Sequence, residues 1–217
     1  MKRSLFFALV IFYFYLTSCQ FDKQIYSCDP VINSYVNENK EEFSQLNLQQ
    51  LTSYDYTLQK AIFNSWDYTK KREAWIDKLN YIISNEKLTY DEIIHIQKLI
   101  DHIQPDYFSD ESLFKNSEGN TLFANKWIEY SQNELGWSDQ FIAFIVYRLY
   151  LNQTQLEAEL SELNSLRTET STDGESCNCN RSADFCGDHY LCRVTGCTPT
   201  GGCGWLGTQI CDGSCLL

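Results

Sequence analysis

Residues 177–217 hold eight cysteines: Cys177, Cys179, Cys186, Cys192, Cys197, Cys203, Cys211 and Cys215. Seven glycines share the stretch, and no apolar run in it is long enough to build a core. So small a segment exposes too much of its surface to hold itself by burial. Cross-links supply what burial does not, each contributing roughly 2–4 kcal/mol by restricting the unfolded chain. An even cysteine count predicts a knot closed on itself by four bridges in an oxidising compartment. The roughly one hundred pairings that eight cysteines allow stay open. Cys177 and Cys179 are too close to bridge each other easily. Zinc is not expected, because only Cys211 and Cys215 have the spacing of a zinc-binding arm.

The other end of the chain agrees about the compartment. Lys2 and Arg3 precede an almost wholly apolar run up to Leu16, too short to span a bilayer comfortably and about the length of a leader core. The run ends in Leu16-Thr17-Ser18-Cys19, which resembles the bacterial lipoprotein cleavage box. That resemblance implies removal of residues 1–18 and acylation of Cys19, with residues 19–29 as a tether to the membrane. Several acyl chains anchor firmly where one holds weakly. Cys28 is the odd cysteine, expected to be an inert thiol. The implied location is the cell envelope, at the outer membrane or cell surface.

Between the two ends, residues 30–167 read as helical. Leu58, Ile62 and Trp66 form one apolar stripe at helical spacing, and Trp75, Leu79, Ile82 and Ile83 a second. Ile93, Ile96, Ile100 and Ile103 form a third. Thr89 and Glu92 have the spacing of a capping box, and Pro105 stops that helix after Ile103. A helix over 121–135 ends at Gly136. Ser138 then caps a helix over 138–151 that is apolar all round, the expected centre of a bundle. Its length of about 21 Å is too short for a bilayer core of about 30 Å. In the last helix, Leu156, Leu160, Leu163 and Leu166 face inward, with Glu157, Glu159 and Glu162 on the wet side. Residues 168–176 have no large apolar side chain and read as a flexible linker. The expected fold is therefore mainly α: a helical bundle followed by a small disulfide-rich C-terminal domain, each able to fold alone.

Charge excludes one class of partner. The chain has 17 basic and 29 acidic residues, a formal −12, and loses two more cations with its leader. Such a surface repels nucleic acid. Three histidines offer little to an enzyme. Glu92-x-x-His95 is a single step of a motif that metal bundles use twice. His95 and His102 lie about 10.5 Å apart along one helix and cannot share an ion, so both are expected at the edge of the isoleucine stripe. No phosphate loop or nucleophile elbow is present. No catalytic residue, metal or cofactor is expected.

The tail's residues CNCNRSADFCGDHYLC, then CTPTG, CGW and CDGSC, resemble the fulvocin C-related bacteriocin family, over about a fifth of the chain. The resemblance implies an antimicrobial module, released extracellularly to meet a receptor on a target cell. Trp205, after two glycines and a cysteine, is the expected contact anchor because tryptophan dominates interface energetics, with Leu206 beside it on an apolar face; packing over a disulfide is the alternative for Trp205. The tail differs from a membrane-lytic peptide in charge: Arg181 and Arg193 stand against Asp184, Asp188 and Asp212. No dibasic release site precedes it. The alternative is a surface lipoprotein that binds a partner or glycan and kills nothing.

Overall fold

Short polar residues start most of the helices. Asp29, Asn47, Asp55, Asp67, Thr89, Ser109 and Ser138 each accept a bond from a backbone N–H in the first turn that follows, each worth about 1 kcal/mol. The computed structural model describes residues 24–27, 29–166, 177, 179–187, 191–194, 196 and 199–216. Among them are ten helices: α1 Pro30–Glu38, α2 Lys40–Phe43, α3 Leu48–Leu51, α4 Tyr56–Ser65, α5 Tyr68–Asn85, α6 Tyr90–His102, α7 Asp110–Lys115, α8 Ser117–Asn133, α9 Asp139–Val146 and α10 Gln153–Leu166. No helix among the described residues is long and apolar enough to cross a membrane. The leader, Cys19 and Cys28, and the boundary at residues 167–176, lie outside the described residues.

The stripes bury as their spacing requires. Ile62, Trp66, Trp75, Leu79 and Ile82 are in the core. On α6 the buried face is centred on His95, Ile96, Leu99 and Ile103, turned from the expected line so that His95 lies inside it. The Thr89–Glu92 capping box forms, and Gly136, at φ +68°, lets Trp137 N reach Ser131 O at 3.0 Å beyond the end of α8. Ile142 to Val146 of α9 are all buried, as expected of the central helix. The helix is shorter than expected, ending at Val146, and its end carbonyls find a partner outside the helix. Lys78 Nζ, fully buried on α5, donates to the carbonyls of Phe144, Ile145 and Arg148. Burial, together with the nearby Arg148 charge, draws the Lys78 amine well below the ordinary lysine range, so it serves there as a hydrogen-bond donor to the end of the helix.

The C-terminal region is disulfide-rich and has two small antiparallel sheets. β1 (Leu191–Arg193) pairs with β4 (Ser214–Leu216), and β2 (Thr200–Cys203) with β3 (Gln209–Cys211). A short 3₁₀ turn, Trp205–Gly207, joins β2 to β3. Three bridges are described: Cys179–Cys192, Cys186–Cys215 and Cys203–Cys211. Cys177 is disulfide-bonded as well, and Cys197 lies outside the described residues. The sulfurs of Cys179, Cys186 and Cys215 lie within 4.8 Å of one another because two bridges pack side by side. Gly213 fits where a Cβ would stand 2.6 Å from Arg193 O and 2.8 Å from Cys192 Sγ. A substitution at Gly213 would force these two bridged segments apart.

The expectation of a bundle and a separately stabilised knot meets a different arrangement. Trp205 and Leu206 belong to the same buried cluster as the bundle's Phe63, Trp75, Trp127 and Phe144. The knot's hairpin turn is thus a piece of the bundle's core.

Candidate functional site at the seam of knot and bundle

Trp205 and Leu206, expected as exposed contact residues, are only 2% and 0% exposed. Trp205 Nε1 donates to Tyr107 Oη at 3.2 Å. Its ring meets Trp127 and Phe123 edge-on, with centroids 5.6 and 6.3 Å away. Burial pushes the Tyr107 hydroxyl up to about 12, opposed by the bond from Trp205. Leu206 has φ 51°, left-handed backbone that costs an ordinary side chain about 1–2 kcal/mol. Complete burial of its side chain offsets that cost. The turn's shape is set by what it plugs, so neither side chain is presented to an outside target.

A buried charge cluster makes the second contact. Arg148, 3% exposed, follows the apolar run of α9. Its Nε donates to both carboxylate oxygens of Glu159 at 3.1 Å, and one terminal nitrogen reaches Asp184 Oδ1 of the knot at 3.2 Å. The other bonds Phe185 O at 3.3 Å, and the guanidinium lies 4.2 Å from the Tyr56 ring centre. Burial opposes the charge on Arg148, but Glu159, Tyr56 and Asp184 outweigh it and hold the group well above its ordinary range. Asp184 in turn accepts from the backbone N–H groups of Asn180, Phe185 and Gly204. One carboxylate thus orders the knot's loop and receives the bundle's arginine. Glu159, placed on the wet side by its helix pattern, is buried instead, because Arg148 compensates its charge.

Smaller contacts complete the seam. Asn64 Nδ2 donates to Gly201 O at 2.9 Å and Tyr26 O at 3.1 Å, tying α4 to the knot and to the segment before α1. Lys60 Nζ approaches Cys203 Sγ at 3.6 Å. Beside this seam opens a cleft of about 860 Å³, bordered by Gly201 of the knot, Tyr26, Asn64 and the first turn of α5.

His95, expected at a stripe edge, is buried. It stacks on Trp127 and Tyr130, 4.4 and 4.9 Å between ring centres. Ser131 Oγ donates to Trp127 O at 2.8 Å. The His95 tautomer with its proton on Nε2 therefore donates to Ser131 Oγ at 2.9 Å and Trp127 O at 3.1 Å. Ser131 is itself wholly buried, so this pair is closed to substrate. His102 stacks on Phe123 at 3.6 Å.

Burial lowers the His95 ring to about 4, with Lys98 adding to the effect and the Trp127 carbonyl opposing it. The folded state therefore favours the neutral ring more than the unfolded chain does. Its contribution to stability is complete above pH ~6.5 and is lost as pH falls toward ~4. The expected loss by pH ~4.5 is about 2–3 kcal/mol, read from urea midpoints across that range. His95→Gln should flatten the slope between pH ~6.5 and ~4.5. An unchanged slope in the variant would contradict this.

No family model, no curated protein and no solved structure matches this chain.

Proposed function

We propose that this is an exported, lipid-anchored envelope protein that binds a surface ligand, with its disulfide knot built in as a lock on the bundle. The observation that carries this is the burial of Trp205 in the bundle core. A tail that acted as a released toxin would leave Trp205 and Leu206 bare and two buried carboxylate partners of Arg148 rearranged. The cysteine order keeps its likeness to the bacteriocin family, as a stapled scaffold put to another use. Lipid anchoring at Cys19 rests on the Leu16–Cys19 box, and the disulfides support the reading that the chain works outside the cytoplasm.

Three samples test the function on related bacteria: the full chain, the oxidised peptide 177–217 and the bundle alone. None should inhibit growth. Inhibition by the folded, oxidised peptide, abolished by reduction and alkylation, would overturn the proposal in favour of a toxin. Cys19→Ser should move the protein from the detergent phase to the aqueous phase, and equal partitioning of the two forms would contradict the anchor.

A further inference from the structure

The cleft beside the seam is lined by more positive than negative side chains. In a chain of net charge −12, Lys40, Lys70 and Lys71 line it against two carboxylates, Asp67 and Asp110. Asp67 is already committed, since its side chain accepts from Lys70 N as the cap of α5. Among the described residues, none of the three lysines forms an ion pair. Each ammonium lies near an aromatic ring: Lys70 at 4.8 Å from the Trp66 centroid, Lys40 at 5.4 Å from Tyr26 and Lys71 at 5.7 Å from Phe63. Rings hold amines in place but do not neutralise them. Lys71 is half-buried, and burial draws its pKa below the ordinary lysine range against the pull of Asp110 and Asp67. An ammonium partly removed from water without an ion partner is costly, and an anionic ligand offsets that cost.

Size and lining narrow the class. The cleft has the volume of a site for a molecule of several rings, and a lone inorganic anion would occupy little of it. Neutral hydrogen-bonding side chains also line it, among them Ser44, Gln45 and Ser109. On the rim, Tyr68 is 49% exposed, a flat apolar surface with a hydroxyl at its edge. Amines for acidic groups, hydroxyls and amides for ring hydroxyls, and an aromatic face for C–H surfaces describe one kind of ligand. We propose that this cleft binds an anionic saccharide, its acidic groups held by Lys40, Lys70 and Lys71 and a ring laid against Tyr68. The assignment rests on the proposed surface-binding function and names its ligand class.

The full chain is titrated calorimetrically with a short oligogalacturonate, with the same oligomer methyl-esterified, and with inorganic phosphate. The carboxylated oligomer should bind, several-fold more weakly at about 200 mM than at about 50 mM salt because the contacts are charge-dependent. Combined Lys40→Gln, Lys70→Gln and Lys71→Gln should weaken it at least tenfold with the melting temperature unchanged. The corresponding arginine variants should retain most of the affinity. No binding of the carboxylated oligomer at millimolar concentration, equal affinity for the ester or for phosphate, or undiminished binding by the glutamine variant would each overturn the assignment. Such a failure with an inactive peptide 177–217 removes only the saccharide. A lethal free peptide removes the surface-binding function itself.

Discussion

Arg148→Ala lowers the unfolding free energy by about 3–5 kcal/mol, because it leaves Glu159 and Asp184 as uncompensated carboxylates in a dry seam. Against a typical total of 5–15 kcal/mol for a domain, that is a large fraction. The loss divides unevenly. Asp184 keeps its bonds from Asn180, Phe185 and Gly204, whereas Glu159 loses both bonds from Arg148 Nε and keeps its side-chain bond with Tyr150. Adding Glu159→Gln to Arg148→Ala should therefore recover part of the loss, since a neutral amide is cheaper to bury than a charge. Urea unfolding followed by circular dichroism measures both effects. A loss below about 1 kcal/mol for Arg148→Ala would mean that water screens the pair and that the seam is open.

Trp205→Ala should cost about 3–5 kcal/mol, the range for removing a buried large aromatic side chain. Three terms combine. A cavity opens among Trp127, Phe123 and Tyr107, the Tyr107 hydroxyl loses its donor, and Leu206 loses part of the packing that holds its positive φ. Trp205→Phe keeps most of the volume and loses only the bond to Tyr107, so it should cost roughly 1–2 kcal/mol. Calorimetric melting separates the two variants, and mass spectrometry of the oxidised protein should find the bridges intact in both. A melting temperature for Trp205→Ala within a degree or two of the wild type would place the tryptophan outside the core.

Local chemistry was legible in the sequence, and long-range compensation was not. Thr89 with Glu92, Ser138 and Gly136 announced their helix ends because caps are decided within four or five residues. The helical stripes and the mainly α fold followed from spacing, and the disulfide-rich tail from its cysteine count. His95, Lys78, Arg148 and Glu159 escaped because a polar side chain on an apolar face is buried only where a distant partner satisfies it. Ser131, the carbonyls of α9 and the carboxylate of Asp184 are such partners, and spacing along one helix does not reveal them. A faint signal existed for Lys78, which stands between Trp75 and Leu79 on the inward stripe, and for Arg148, which directly follows an apolar run. Within residues 177–217 alone, Trp205 and Leu206 have no core to enter. Nothing within residues 177–217 shows that a socket of Phe63, Tyr107 and Trp127 awaits the hairpin turn.

The claim that knot and bundle share one core is tested most directly by cutting the chain between them. A specific protease site placed within residues 168–176 of the full chain is cleaved under native conditions, and the product is sized by chromatography. With the seam as described, the two pieces should elute together at the size of the intact protein. They should separate only in denaturant or after Trp205→Ala combined with Arg148→Ala. Separation of wild-type pieces in native buffer, with the bundle still folded and the knot still bridged, would contradict the shared core.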